Sequence, residues 1–73
     1  MDIQDIYDKA VEIAKENNGE FSHINAFMNE THMWVHFNFL DDESINEFVY
    51  DLYTNNIGLL VESFDYNKCG VFI

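Results

Sequence analysis

The stretch THMWVHFNF, residues 31–39, decides the fold, because its side chains alternate with a period of two. The odd positions from Met33 to Phe39 are apolar, and the even positions from His32 to Asn38 carry side chains with polar groups. Successive side chains of a strand point to opposite faces of a sheet, so the pattern predicts a strand with one buried face.

A tight turn at Asn29-Glu30 joins this strand to a preceding one in the predicted hairpin. The register pairs Ile24 with Val35, Ala26 with Met33, His23 with His36, and Asn25 with Trp34. The first two pairs are apolar and the other two carry polar groups, so one face of the hairpin is consistently apolar.

A first helix is predicted over residues 2–18, because apolar residues recur there at helical spacing. The sequence Asn17-Asn18-Gly19 is typical of a helix C-terminus. The outer side of this helix carries a row of carboxylates at positions i, i+3, i+7 and i+11, namely Asp5, Asp8, Glu12 and Glu16.

A second helix is predicted to begin after Asp41 and to end near Thr54. Asp41 is a typical N-cap residue, and Leu40 with Ile45 fits a hydrophobic staple. The predicted buried stripe consists of Ile45, Phe48, Val49, Leu52 and Tyr53. The predicted outward residues are Glu43, Glu47, Tyr50 and Asp51.

A second hairpin is predicted near the C-terminus, with strands at residues 59–61 and 71–73 and a connection at residues 65–68. The sequence leaves the register of this hairpin open. The order is therefore αββαββ within a single domain, residues 1–73. It suits an α+β two-layer sandwich, a four-stranded antiparallel sheet with two helices on one face. This order is equivalent to a circularly permuted ferredoxin-like order.

The charge is strongly one-sided, with fourteen acidic residues, three lysines and no arginine, a formal net charge of -11. Residues 1–20 and 41–56, which contain both predicted helices, hold -9 of this total. Such a protein repels nucleic acid and anionic membranes and is attracted to basic surfaces. The hydrophobic fraction of 48% exceeds that of disordered acidic tails, so the chain is expected to fold.

The expected partner is therefore a basic nucleic-acid-binding protein, contacted through the outer helix residues. The candidate contact residues are Asp5, Asp8, Glu12, Glu16, Glu43, Glu47, Tyr50 and Asp51. Acidic residues on helix exteriors are most often ordinary solvated groups. Here few basic residues lie between them, and like charges at this spacing destabilise their own helices, which favours a functional interpretation.

The opposite face of the sheet offers a second candidate interface, formed by His23, Phe27, Trp34 and His36 together with Phe21. Exposed aromatic patches often mark a partner site or a homodimer contact, and partial cover by loops or by a neighbouring strand is the alternative. Neighbouring histidines on this face also raise weak zinc binding as an alternative to solvent-facing side chains. No metal site and no cofactor is predicted.

No catalytic motif is present, so the protein is predicted not to be an enzyme. Cys69 is the single cysteine, which excludes an internal disulfide and favours a cytoplasmic protein. In an apolar C-terminal segment it is more often a small core residue than a nucleophile.

In size and composition the chain resembles the small acidic DNA-mimic inhibitors that bacteriophages encode, of the anti-CRISPR, anti-restriction and uracil-DNA glycosylase inhibitor types. The resemblance implies a phage protein that occupies the nucleic-acid groove of a host nuclease, an RNA-guided one among the candidates. No shared motif carries functional residues over. The alternative is an immunity protein or a dimeric interaction module that binds a basic protein.

Overall fold

The computed structural model describes residues 3–26, 33–57, 60–65 and 67–73, and within them it has the predicted αββαββ order. The elements are α1 (Ile3–Glu16), β1 (Gly19–Ala26), β2 (Met33–Phe39), α2 (Asp42–Thr54), β3 (Leu60–Asp65) and β4 (Lys68–Phe72). The four strands form one antiparallel sheet in the order β1-β2-β4-β3. The predicted α+β class is confirmed.

Helix α1 packs on the sheet through the apolar side that its spacing predicts. Its buried residues are Ala10, Ile13 and Ala14, and Ile6, Tyr7 and Val11 are partly buried beside them. The helix ends at Glu16, two residues before the predicted end. Asn18 then adopts a left-handed conformation with φ 62°, and Asn56 does the same after α2 with φ 60°. Both helices therefore end in the way that their Asn-Asn sequences indicate.

The register of β1 on β2 confirms the predicted pairing. Ile24 lies opposite Val35, Ala26 opposite Met33, His23 opposite His36, and Asn25 opposite Trp34. The predicted turn at residues 29–30 lies outside the described residues. The alternation of apolar and polar side chains thus determined the pairing correctly, because a slip by one residue would expose the apolar face.

The prediction that Phe21 lies on the sheet face away from the helices is wrong, because β1 has a bulge at Ser22. The pairing shifts between Phe21 and His23, so that Phe21 lies opposite Phe37, a core residue. The Phe21 ring contacts Tyr7 of α1 edge to face, with 6.1 Å between ring centroids. Phe21 therefore lies on the helix side of the sheet, and not beside His23 and Trp34, because the extra residue of a bulge reverses the alternation.

Helix α2 begins and ends as predicted. Asp41 is the N-cap, and its Oδ1 accepts hydrogen bonds of 2.9 Å from both the backbone N–H and the hydroxyl of Ser44. The core-facing residues are Ser44, Ile45, Phe48 and Leu52, with Val49 partly buried. The predicted staple residue Leu40 is 70% exposed, so it adds little to the core.

Tyr53 was wrongly assigned to the buried stripe of α2, since its side chain is 73% exposed. At about 100° per residue, Tyr53 lies roughly 100° from the centre of the stripe formed by Ile45, Phe48 and Leu52. The apolar ring of tyrosine suggested burial, but the helical geometry places it outside. Tyr53 therefore belongs to the exposed surface of α2.

The second hairpin pairs β3 with β4 through a shorter connection than residues 65–68, because Asp65 and Lys68 are themselves paired. Val61 lies opposite Val71, and Glu62 lies opposite Gly70. The pairing shifts between Ser63 and Asp65, which is a second bulge. The register of this hairpin determines which side chains of β3 and β4 lie on each face of the sheet.

Both helices cover the same face of the sheet, as predicted, and one buried cluster joins them to it. At its centre the Phe48 ring of α2 lies 5.5 Å from the Phe37 ring and 5.0 Å from the Phe39 ring, measured between centroids. The same cluster also contains Val35, Ile57, Cys69, Val71 and Ile73. The helix exteriors and the opposite sheet face remain for contact with other molecules.

Gly19 is the point where the chain leaves α1 close to β2, and it leaves no room for a side chain. A Cβ at this position would collide with the Phe39 ring and lie 2.9 Å from the backbone oxygen of Ala14. Gly19→Ala is expected to lower the free energy of unfolding by about 1–3 kcal/mol. Urea unfolding measures this, with Glu20→Ala, an exposed neighbour, as the control. An unchanged midpoint in Gly19→Ala would show that this approach is not tight.

Candidate partner-binding surface

The four carboxylates of α1 lie on its exposed side. Asp5, Asp8, Glu12 and Glu16 are all exposed, as their spacing predicts. The Gln4 amide donates a 2.9 Å hydrogen bond to Asp8 Oδ1, and Lys9 Nζ lies 3.8 Å from Glu12 Oε2. Exposed ion pairs of this kind are weak, so the row keeps most of its negative potential.

The exterior of α2 combines carboxylates with tyrosines. Glu43 and Glu47 are exposed, and Tyr50 is 65% exposed, as predicted. Tyr53 extends this surface towards the end of the helix. Tyrosine is one of the residues that contribute most to protein interfaces, because its ring buries a large area and its hydroxyl forms hydrogen bonds. The surface therefore offers apolar contact area beside its charge.

Asp51 differs from the other predicted contact residues. It is half-buried, and its Oδ2 accepts a 2.9 Å hydrogen bond from the Asn17 amide, which also donates to the backbone oxygen of Ile13. Asn17 thus links the end of α1 to α2 through Asp51. The carboxylate already has a structural role in holding the helices together, which the helical period of α2 alone does not indicate.

The two helices form an acidic cleft where α1 ends and α2 begins. Its lining consists of Glu16, Asn17, Asn18, Asp41, Glu43, Ser44 and Glu47, around a volume of about 260 Å³. Four of these seven side chains are carboxylates. The cleft therefore gathers Glu16 from one predicted row with Glu43 and Glu47 from the other. Asp5 lies about 16 Å from Glu16 along α1, so it belongs to a separate end of the surface.

The N-terminus of α2 stabilises negative charge in this cleft. The hydrogen bond from the Ser44 backbone N–H, and then that from the Ser44 hydroxyl, hold the pKa of Asp41 below its ordinary value. The positive end of the helix dipole favours Glu43 in the same turn. Glu16 occupies the last turn of α1, where the dipole disfavours a carboxylate. Glu16 is thus an acidic residue whose position helix stability alone does not explain.

The opposite face of the sheet is less exposed than predicted. Trp34 is half-buried and packs on Phe72 of β4, with 5.0 Å between ring centroids. His23 and His36 stack on each other across β1 and β2. Phe27 lies outside the described residues, and Phe21 lies on the other face. Cover by a neighbouring strand, the alternative considered for this face, accounts for Trp34.

Among the residues that the structure describes, the charged side chains of this sheet face are Glu20, Glu62, Asp65 and Lys68, as the strand pairing places them. Asp65 and Lys68 form an exposed ion pair with 3.7 Å between Oδ2 and Nζ. The face therefore carries much less negative charge than the helix side. The packing of Phe72 on Trp34 could not be predicted from the sequence, because it depends on the register of the second hairpin.

Cys69 is a buried free thiol on the core side of the sheet. Burial raises its pKa to about 12, so at neutral pH it is a thiol and not the reactive thiolate. Among the described residues there is no cluster of three or more His, Cys, Asp or Glu side chains that could hold a metal ion. The helices in this part of the chain are too short and too polar to cross a membrane.

The structure thus defines a small α+β domain whose helix side forms an acidic surface with exposed tyrosines. Comparison with known proteins finds no family model, no curated protein and no solved structure that matches the chain.

Proposed function

We propose that the protein is a non-enzymatic inhibitor that binds the basic nucleic-acid-binding groove of a host nuclease, or of another DNA- or RNA-binding protein, through its acidic helix surface. The acidic cleft carries this proposal, because carboxylates from two helices converge there. A groove that holds phosphates with lysine and arginine is the type of surface that such a cleft attracts. Nucleic acid and inhibitor then compete for the same groove.

The spacing of the carboxylates supports mimicry of a phosphate backbone. Residues three and four positions apart recur every ~4.5 to 6 Å along a helix axis. Phosphates follow each other at a rise of about 3.4 Å along one DNA strand. The α1 row from Asp5 to Glu16 therefore presents charge at a comparable density. Tyr50 and Tyr53 supply exposed rings on the exterior of α2, which also carries Glu43 and Glu47, in the place of bases or sugars.

The position of the acidic residues also supports a binding role. Glu16 lies at the unfavourable end of the dipole of α1, and Glu43 and Glu47 lie four positions apart as like charges on α2. Such arrangements lower helix stability by a few tenths of a kcal/mol each. A partner that supplies lysine or arginine to the cleft would compensate for this repulsion.

The likeness in size and composition to phage-encoded inhibitors extends the proposal to the setting in which the protein acts. We place it in the cytoplasm of a bacterial host, as an anti-CRISPR or anti-restriction type of protein. Its nuclease target is present there, and its single cysteine has no disulfide to maintain. An RNA-guided nuclease has the wide basic channel that this surface would fit.

A pull-down from bacterial lysate tests the proposal. The immobilised protein is expected to retain a nucleic-acid-binding protein at low salt and to release it at high salt, because the contact is electrostatic. An excess of duplex DNA or of RNA should prevent the capture. A partner that stays bound in the presence of excess nucleic acid would contradict groove binding and would favour the immunity-protein alternative.

A further inference from the structure

Two histidines form a stacked pair on the sheet face that lies away from the helices. The rings of His23 and His36 are 4.3 Å apart between centroids and nearly parallel, with 8° between their planes. The two residues lie directly opposite each other on β1 and β2. Strand β1 is an edge strand of the sheet, and β2 is its neighbour. The pair therefore lies across the contact that holds β1 in the sheet.

The hydrogen bond between Asn25 and His36 suits a neutral His36 ring. Asn25 Nδ2 lies 3.0 Å from His36 Nε2, and an amide N–H can donate only to a ring nitrogen that carries no proton. Ser22 Oγ lies 3.0 Å from His23 Nδ1. The bulge at Ser22 places this hydroxyl beside the ring of the next residue. Protonation of His36 at Nε2 would place two donors against each other in this arrangement.

Among the described residues, the charged side chains that face the pair are Glu20 of β1, Glu62 and Asp65 of β3, and Lys68 of β4. Asp65 is ion-paired with Lys68, and Gly70 separates Glu62 from His36 in the same row of the sheet. Burial, and then the charge of His23, lower the pKa of His36 from its ordinary value of 6.5. The two rings therefore resist carrying a proton at the same time.

We propose that the His23–His36 pair is a proton-sensitive latch, which holds edge strand β1 on β2 while the rings are neutral and loses this effect when both are protonated. At high pH the stacked rings attract each other, as aromatic neighbours on adjacent strands do. In acid, two positive charges 4.3 Å apart repel each other. Acidification thus weakens the attachment of β1.

The direction in which pH changes stability follows from the difference in the pKa of His36 between the folded and unfolded states. Because the pKa of His36 is lowered in the folded state, the unfolded chain takes up the proton more readily. The contribution of the pair is complete above the unfolded pKa of about 6.5. It decreases as the pH falls from there towards the lower pKa of the folded state.

A double-mutant cycle measures the latch. Urea unfolding of the wild type, His23→Gln, His36→Gln and the double variant gives the coupling between the two side chains at pH 8 and at pH 5. The carboxylates are common to all four proteins, so their titration cancels. The coupling is expected to favour folding by about 3-fold in the equilibrium constant at pH 8 and to disappear or reverse at pH 5. Equal coupling at both pH values would overturn the proposal.

An NMR titration of the wild type gives a second test that does not depend on the stability of a variant. The His36 ring signal is expected to titrate below the ordinary histidine range, and its midpoint should rise in His23→Gln. A His32→Gln variant identifies the third histidine signal. A His36 midpoint in the ordinary range, unchanged by the loss of His23, would overturn the latch.

Discussion

A triple variant in which lysine replaces Glu16, Glu43 and Glu47 is expected to bind the nuclease recovered in the pull-down at least about 100-fold more weakly at low salt. These three side chains line the acidic cleft from both helices. Their reversal would place positive charge against a groove built for phosphates, so attraction becomes repulsion. The affinity is measured by calorimetry at two salt concentrations, and the loss should be smaller at the higher one.

The sheet face provides a matched control for this variant. Replacing Glu20, Glu62 and Asp65 with lysine changes the net charge by the same amount, but it does so on the face away from the helices. The residues replaced in the two variants are all exposed, so both variants are expected to remain folded. The control should lose less than about 10-fold in affinity, through the general field alone. Equal losses in the two variants would show that total charge, and not the acidic cleft, determines binding.

Replacing Phe48 with alanine is expected to remove a large part of the stability of the fold. Phe48 is fully buried, and its ring contacts those of Phe37 and Phe39 at the centre of the core. Such a truncation costs about 3–5 kcal/mol. A domain of this size has a total stability of about 4–11 kcal/mol, at roughly 0.05–0.15 kcal/mol per residue. The urea midpoint of the variant, measured by circular dichroism, should therefore fall to roughly half that of the wild type.

Tyr50 is the control for this experiment, since it lies on the same helix but is 65% exposed. Tyr50→Ala is expected to change the free energy of unfolding by less than about 0.5 kcal/mol. Similar losses in Phe48→Ala and Tyr50→Ala would contradict the assignment of the two sides of α2. A tolerated Phe48→Ala would mean that the core does not depend on the phenylalanine cluster.

The pairing of β1 and β2 could be predicted from the sequence because the apolar face of a strand allows few registers. His23 and His36 were placed opposite each other correctly by that argument. The bulge at Ser22 could not be predicted, since an extra residue in an edge strand leaves no clear signature in the alternation. For this reason the prediction of Phe21 on the face away from the helices is wrong.

The candidate surface was only partly predictable. The exposed rows of α1 and α2 follow from helical spacing, and the same spacing places Tyr53 outside the buried stripe, where the structure has it. The acidic cleft and the Asn17–Asp51 hydrogen bond depend on where the two helices meet. That meeting point is determined by tertiary packing, and the period of one helix carries no information about it.

The measurement that tests the central claim most directly is a displacement titration on the recovered nuclease. A fluorescently labelled oligonucleotide is bound first, and its anisotropy is followed as this protein is added. Competition for one groove predicts complete release of the oligonucleotide, with an apparent Kd for the protein that rises linearly with the oligonucleotide concentration. A ternary complex, in which the anisotropy rises and the oligonucleotide stays bound, would contradict the account.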